Sequence, residues 1–142
     1  DFAFPDPSDR FYHQHSAVEL PNGNILLFDN GNFRPVAEGG EYSRALELHL
    51  DMTTMTATKV WEYRHPQNLY AICCSIVRPL ANGNVVVVFG ADTQNDACCR
   101  TYALVEADPS GNAVSEIAIR KTDKVVQYRV YPLDTINGES KR

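Results

Sequence analysis

Two histidines and an arginine near the start of the sequence could together handle an anionic group. His13 and His15 flank Gln14, and Arg34 follows His15 by 19 residues. A neutral histidine donates one ring N–H and offers a lone pair on the other nitrogen, so it can act as a donor, base or nucleophile. An arginine presents a fixed fork of donors to anionic oxygens. Brought together, these side chains would form an anion site.

The segment between these residues predicts the element that positions them. Ser16–Leu20 and Ile25–Phe28 are short β-type runs joined through Asn22-Gly23. Asn-Gly between such runs is typical of a hairpin with a two-residue type I′ turn. His15 stands at the entrance of the first strand and Arg34 just past the exit of the second, so an antiparallel hairpin places both at one end. We therefore predict a shared anion site at one rim of the sheet.

Composition indicates an ordinary globular protein and excludes two classes of partner. Apolar residues make up 44% and charged residues 22% of the 142-residue chain, and the net charge is -5. Basic residues are never consecutive for more than two positions, as at Arg120-Lys121 and Lys141-Arg142, which argues against a nucleic-acid groove. The longest apolar runs, Leu69–Cys74 and Val85–Phe89, are too short to span a bilayer. Because the chain begins with Asp1, we expect it to be a segment of something longer.

Strand patterns continue along the chain, with no helix longer than a turn. Further strands are predicted at Tyr42–Asp51, Lys59–Arg64, Ile72–Leu80, Val85–Gly90, Thr101–Ala107, Ala113–Arg120 and Val125–Tyr131. Asn22-Gly23-Asn24 recurs 60 residues later as Asn82-Gly83-Asn84. The predicted fold is therefore all-β, built from tandem four-stranded antiparallel meanders.

A repeat of this size indicates part of a β-propeller, a fold of roughly four to eight four-stranded blades. We predict a lead-in loop over 1–12, a blade over 13–68, a second blade over 69–122, and the first strand of a third blade with a tail over 123–142. The remaining blades would belong to the parent chain. The alternative is a complete two-sheet sandwich, although sandwiches do not usually repeat their strand order in tandem.

The four cysteines form two adjacent pairs, Cys73-Cys74 and Cys98-Cys99. On a strand, neighbouring side chains point to opposite faces, so each pair can send one sulfur into a shared space. One cross-strand disulfide or a set of buried thiols both fit. The spacing does not match a zinc site, and we expect neither a metal nor a cofactor.

Several motifs together resemble the arylsulfotransferase (aryl sulfate sulfotransferase) family over nearly the whole chain. They are Gln14-His15-Ser16-Ala17, Leu20-Pro21-Asn22-Gly23-Asn24, Leu27-Phe28-Asp29-Asn30-Gly31 and Tyr42-Ser43-Arg44-Ala45. The resemblance implies a six-bladed propeller, often exported from the cell, with its site in the central channel. It also implies transfer of a sulfuryl group from a phenolic sulfate donor to a phenol acceptor through a sulfated histidine.

Residue by residue, the resemblance implies that His15 and Arg34 bind the sulfuryl group as catalytic residues. His13, Asn30 and Arg44 are candidate substrate-binding residues, with a structural role as the alternative for Asn30 and Arg44. No histidine follows His65, and we expect His49 and His65 at the surface. The family's nucleophilic histidine thus has no counterpart we can assign. Either it lies outside this segment, or the chain is a non-catalytic propeller module that binds a small anion, a glycan or a protein.

Overall fold

The computed structural model of the protein describes residues 1–90, 101–120, 135–136 and 139–140. Sheet 1 contains, in spatial order, β1 (Gln14–Glu19), β2 (Ile25–Asp29), β3 (Arg44–Asp51) and β4 (Thr56–Tyr63). Sheet 2 contains β5 (Ile76–Pro79), β6 (Val85–Phe89), β7 (Thr101–Ala107) and β8 (Ala113–Arg120). Every neighbouring pair is antiparallel. The prediction of an all-β fold with two four-stranded antiparallel meanders is confirmed.

The smaller elements lie outside the two sheets. Short 3-10 turns occur at Pro7–Asp9 and Val36–Glu38, and β9 (Thr135–Ile136) pairs with β10 (Glu139–Ser140). In the part of the chain that the structure describes, no helix has the length and apolarity needed to cross a membrane. The predicted strand Val125–Tyr131 and the pair Cys98-Cys99 lie outside the described residues.

Four strands begin at positions different from those predicted: β1 starts at Gln14 rather than Ser16 and β3 at Arg44 rather than Tyr42, while β4 and β5 differ by more. β4 starts at Thr56 rather than Lys59, because the carboxylate of Asp51 accepts the N–H groups of Thr53 and Thr54 and closes a tight turn. β5 starts at Ile76 rather than Ile72, because the side-chain amides of Asn30 and Asn32 in the first repeat donate hydrogen bonds to the carbonyls of Ala71 and Ile72.

The hairpin turn has three residues, so the predicted type I′ turn is wrong. The Leu20 N–H donates to the Asn24 carbonyl and the Gly23 N–H donates to the Leu20 carbonyl, both at 2.8 Å. Gly23 has φ +82°, whereas Asn22 is not in the left-handed region. Pro21 explains this, since its ring fixes a negative φ at the first turn position. The same pair of backbone bonds recurs at Leu80–Asn84 and at Asp108–Asn112.

The core between the sheets shows how the repeats stack. Leu26 and Phe28 of β2 belong to one buried core with Val85, Val87 and Phe89 of β6, in which the ring centres of Phe28 and Phe89 are 5.3 Å apart. In the 60-residue repeat Leu26 and Phe28 correspond to Val86 and Val88, whereas the residues of β6 in this core are the alternate ones. Because successive residues of a strand point to opposite sides, the two sheets pack with non-equivalent faces.

Each sheet also carries a second apolar face that points away from the other sheet. On sheet 1 it contains Leu27, Leu46 and Leu48, covered in part by Phe4 and Phe11 of the lead-in segment. On sheet 2 it contains Ile76, Val86 and Val88. A two-sheet sandwich normally exposes polar outer faces, whereas two apolar outer faces fit a partial propeller.

Candidate functional site

His15 is held in one orientation by Asn30. It lies inside β1, which begins earlier than predicted, and it pairs with Phe28, so its side chain faces sheet 2. Its Nδ1 lies 2.7 Å from Oδ1 of Asn30. The Nδ2 group of Asn30 donates to the Ala71 carbonyl at 2.6 Å, which fixes the amide orientation. Oδ1 must therefore accept, and the proton of neutral His15 resides on Nδ1.

This tautomer leaves Nε2 of His15 with a lone pair. Among the described residues no group bonds Nε2, and the ring is only partly buried. A bare Nε2 can accept a proton from a hydroxyl group, and after protonation it can donate to an anionic oxygen.

The buried end of β2 keeps Asn30 in place. Asn30 is completely buried, and its own carbonyl accepts the Ser43 hydroxyl at 2.8 Å. The Ala71 N–H donates to that same hydroxyl oxygen at 2.9 Å. Gly31 follows with φ +76°, and a Cβ there would overlap the carbonyl oxygen of Tyr42. Only glycine fits this position, so the chain can turn sharply just after Asn30.

Asp29, one residue earlier, anchors two buried arginines on the other face of sheet 1. Its carboxylate accepts from Arg34 and from Nε of Arg44, the latter at 3.0 Å. It also accepts the backbone N–H of Tyr12 at 2.8 Å. The side chains of Asp29 and Arg34 are fully enclosed and that of Arg44 is 1% exposed. These three residues, here called the Asp29 cluster, tie the lead-in segment to sheet 1.

The arginines of this cluster are further held by carbonyls, an acid and an aromatic ring. Arg34 donates to the Arg10 carbonyl at 2.8 Å and lies 4.3 Å from the ring centre of Tyr42. Arg44 donates to Glu62 at 2.9 Å. Burial by itself lowers the pKa of Arg44, but the charges of Asp29, Tyr42 and Glu62 outweigh it and hold that pKa above its ordinary value.

Glu62 titrates as part of the same network. Burial raises the pKa of the Glu62 carboxyl, but Lys59 and Arg44 outweigh that effect, so its pKa lies below the usual value. The carboxylate therefore remains charged beside Arg44 at neutral pH.

Comparison with known proteins identifies the family of this chain. The family model "Arylsulfotransferase (ASST)" matches residues 5–129. The chain belongs to the arylsulfotransferase family. A curated relative, "Arylsulfate sulfotransferase AssT" of Escherichia coli O6:H1, is 33% identical over 88 residues. That match covers 58% of this chain and 15% of the relative, so the chain spans only a small part of that relative's length.

The predicted convergence of His15 and Arg34 does not occur in this arylsulfotransferase-family chain. His15 lies with Asn30 toward sheet 2, while Arg34 lies with Asp29 toward the lead-in segment. The physical reason is the alternation of β2, whose successive residues leave the strand on opposite sides. The prediction correctly placed both residues at one end of the hairpin, but it did not consider which face each one occupies.

The other predicted residues are distributed around the same end of sheet 1. His13 is exposed, and its ring lies 5.4 Å from that of Phe33. Asn30 contacts His15 directly, whereas Arg44 belongs to the Asp29 cluster. No group of His, Cys, Asp and Glu side chains suited to a metal ion occurs in the described part of the chain.

The two remaining histidines differ from each other. His49 is exposed, as predicted, and bonds Asn24. The prediction of a surface position for His65 is wrong, because its side chain is buried against Phe89 and its Nδ1 accepts the Gln67 N–H. Its Nε2 lies 3.3 Å from the Glu116 carboxylate of the second repeat.

Asp29 was not among the candidate site residues of the sequence analysis, so its role in binding two buried arginines was missed. A signal was available in the repeat itself. Asp29 occupies the position 60 residues before Phe89, which is a fully buried core residue in β6. An acidic residue at a core position requires a buried cationic partner, and Arg34 and Arg44 lie nearby in the sequence.

Proposed function

We propose that this chain contributes His15 to a site that moves a sulfuryl group from a phenolic sulfate ester to a phenol acceptor. The observation that carries the proposal is the bond between Nδ1 of His15 and Oδ1 of Asn30, which leaves Nε2 for substrate. Membership of the arylsulfotransferase family supports the same chemistry. The remaining blades of a longer, exported protein would complete the channel and supply the nucleophilic histidine.

The tautomer of His15 suits two stages of such a transfer. Neutral Nε2 accepts the proton of the acceptor hydroxyl while that oxygen bonds to the sulfuryl sulfur and the bond between sulfur and the nucleophilic histidine breaks, which releases that histidine. The resulting imidazolium keeps its Nδ1–H on Asn30 and donates Nε2–H to a sulfuryl oxygen. Negative charge on those oxygens is then stabilised by a donor that is already in position, as in phosphoryl transfer.

In this proposal Arg34 is a positioning residue and not a group that contacts the substrate. Its guanidinium is enclosed by Asp29, the Arg10 carbonyl and Tyr42. Through Asp29 it holds the end of β2 that carries Asn30. Arg44 acts in the same way through the same carboxylate.

The test uses the protein with all the sequence that surrounds this chain in its natural context. It is incubated with 4-nitrophenyl sulfate and phenol, and release of nitrophenol and formation of phenyl sulfate are both measured. We expect His15→Ala to lower kcat by roughly 100-fold or more, in the range for loss of a general acid–base group. His49→Ala is the matched control, because His49 is an exposed histidine of the same sheet and bonds only Asn24.

Two results would refute the proposal. The first is full activity in the His15→Ala variant. The second is a wild-type protein that binds 4-nitrophenyl sulfate in an equilibrium titration but never releases nitrophenol, which would establish a non-catalytic binding module instead.

A further inference from the structure

Phe33 is an exposed aromatic residue on a firmly anchored loop. Its side chain is 77% exposed, whereas both of its neighbours, Asn32 and Arg34, are buried. Asn32 donates to the Ile72 carbonyl at 2.8 Å, and Arg34 is bound to Asp29. The N–H of Phe33 itself donates to the Glu41 carboxylate at 2.8 Å. The backbone around Phe33 is therefore fixed, while its benzyl group projects outward.

The residue type at this position is unfavourable for folding. Phe33 has φ +61°, a left-handed conformation that glycine and asparagine adopt readily and bulky side chains rarely do. Its apolar ring also stays in contact with water within the described structure. An asparagine would relieve both penalties, so a phenylalanine here requires a compensating interaction. Residues in strained conformations cluster at ligand sites.

His13 forms a second wall beside Phe33. It too is exposed and has a left-handed backbone, with φ +55°. The two ring centres are 5.4 Å apart and the ring planes meet at 61°. The Gly31 N–H donates to the Tyr12 carbonyl at 2.9 Å, which holds the Phe33 loop against the chain just before His13. The two rings thus form an open corner two residues from His15.

We propose that this corner, Phe33 with His13, binds the aromatic ring of the phenolic substrate. An aryl group can stack against the exposed face of Phe33 and meet His13 edge-on, the two arrangements that aromatic rings prefer. Phe33 would then select aryl over alkyl substrates while His15 carries the chemistry. This inference rests on the function proposed above and adds a specificity-determining residue to it.

The experiment compares Phe33→Ala, Phe33→Tyr and Val36→Ala in the protein with its complete natural sequence. Val36 is the matched control, because it is an apolar residue of the same loop that is 90% exposed. We expect Phe33→Ala to raise the Kd for phenol and the KM for 4-nitrophenyl sulfate roughly three- to tenfold, with kcat within about twofold of wild type. Phe33→Tyr should restore wild-type values, and Val36→Ala should not change them.

A measurement of phenol affinity distinguishes two outcomes: the aryl corner is wrong, or the proposed sulfuryl transfer is wrong. If the wild-type protein shows no turnover but its phenol affinity still depends on Phe33, the proposed function fails and the aryl corner stands. If Phe33→Ala binds phenol as wild type does, the inference is overturned. A lower melting temperature with unchanged phenol affinity also overturns it, since Phe33 would then pack against another part of the protein.

Discussion

Asp29 ends β2 and Asn30 follows it directly, and the two residues hold different parts of the molecule on opposite sides of sheet 1. Asp29 binds the guanidinium groups of Arg34 and Arg44, while Asn30 binds the imidazole of His15. The strand end thus connects a buried charge cluster to the candidate catalytic residue. A disturbance of the cluster should therefore reach His15 through one peptide unit.

Asn30→Ala should slow sulfuryl transfer without preventing folding. The substitution removes the acceptor of the His15 Nδ1–H, so the ring loses its fixed tautomer and orientation. We expect kcat to fall roughly 10- to 100-fold, as for other histidines that lose an orienting partner. Asn32→Ala is the control for kcat, since it removes a comparable bond to the Ile72 carbonyl without touching His15, and any loosening of the Phe33 loop should change KM instead. Equal losses of kcat in the two variants would contradict the role given to Asn30.

Asp29→Asn should destabilise the fold strongly. It leaves Arg34 and Arg44 buried without their shared carboxylate, and breaking a buried ion pair typically costs about 3 to 5 kcal/mol. Glu38→Gln provides the comparison, because glutamine can still accept the Tyr12 hydroxyl, and the lost ion pair to Arg10, which is 48% exposed, contributes about 1 kcal/mol or less. Urea unfolding monitored by tryptophan fluorescence measures both variants. Similar losses in the two would show that the Asp29 cluster does not stabilise the fold as described.

Gly31→Ala should be far more damaging than Gly40→Ala, although both glycines have left-handed φ values, +76° and +72°. At Gly40 a Cβ meets nothing within 4 Å, so only the backbone penalty of about 1 to 2 kcal/mol applies. At Gly31 the Cβ would also overlap the Tyr42 carbonyl oxygen. Unfolding midpoints in urea distinguish the two variants. A Gly31→Ala protein as stable as Gly40→Ala would mean that the turn after Asn30 is not packed as described.

Acid should weaken the fold partly through Glu62. Its pKa in the folded protein lies below the ordinary value of 4.5, so its ion pairs stabilise the native state above that pH. This stabilisation decreases as the pH falls below 4.5 and through the lowered pKa. Glu62→Gln should therefore reduce the difference in unfolding free energy between pH 7 and pH 3.5. An unchanged difference would exclude Glu62 as a contributor.

The sequence was sufficient for the fold because strand patterning and a 60-residue repeat depend on local chemistry. Alternating residues in β3 and the apolar run of β6 marked strands directly. The prediction of the turn type was wrong because Pro21 overrides the preference of Asn-Gly for a type I′ turn. The predicted start of β5 was wrong because Asn30 and Asn32 of the first repeat donate hydrogen bonds to the backbone just before this strand. Such long-range contacts are not visible in local sequence patterns.

The site was only partly predictable for a related reason. His15 and Asn30 were identified from motifs, and the structure brings them together. Arg34 was identified from its spacing alone, and spacing does not state on which face of a strand a partner lies. The burial of His65 depends on Glu116 and Phe89 of the next repeat, so no feature near His65 in the sequence indicates it.

The ring nitrogen that carries the proton decides whether His15 can act as proposed. Selective 15N labelling of histidine, with the His15 signals assigned by their loss in His15→Gln, reports which ring nitrogen carries the proton in the neutral protein. We expect a protonated Nδ1 and a bare Nε2 in the wild-type protein, and a mixture of tautomers in Asn30→Ala. A wild-type His15 with its proton on Nε2 would overturn the proposed role, because the lone pair would then face Asn30 and not the substrate.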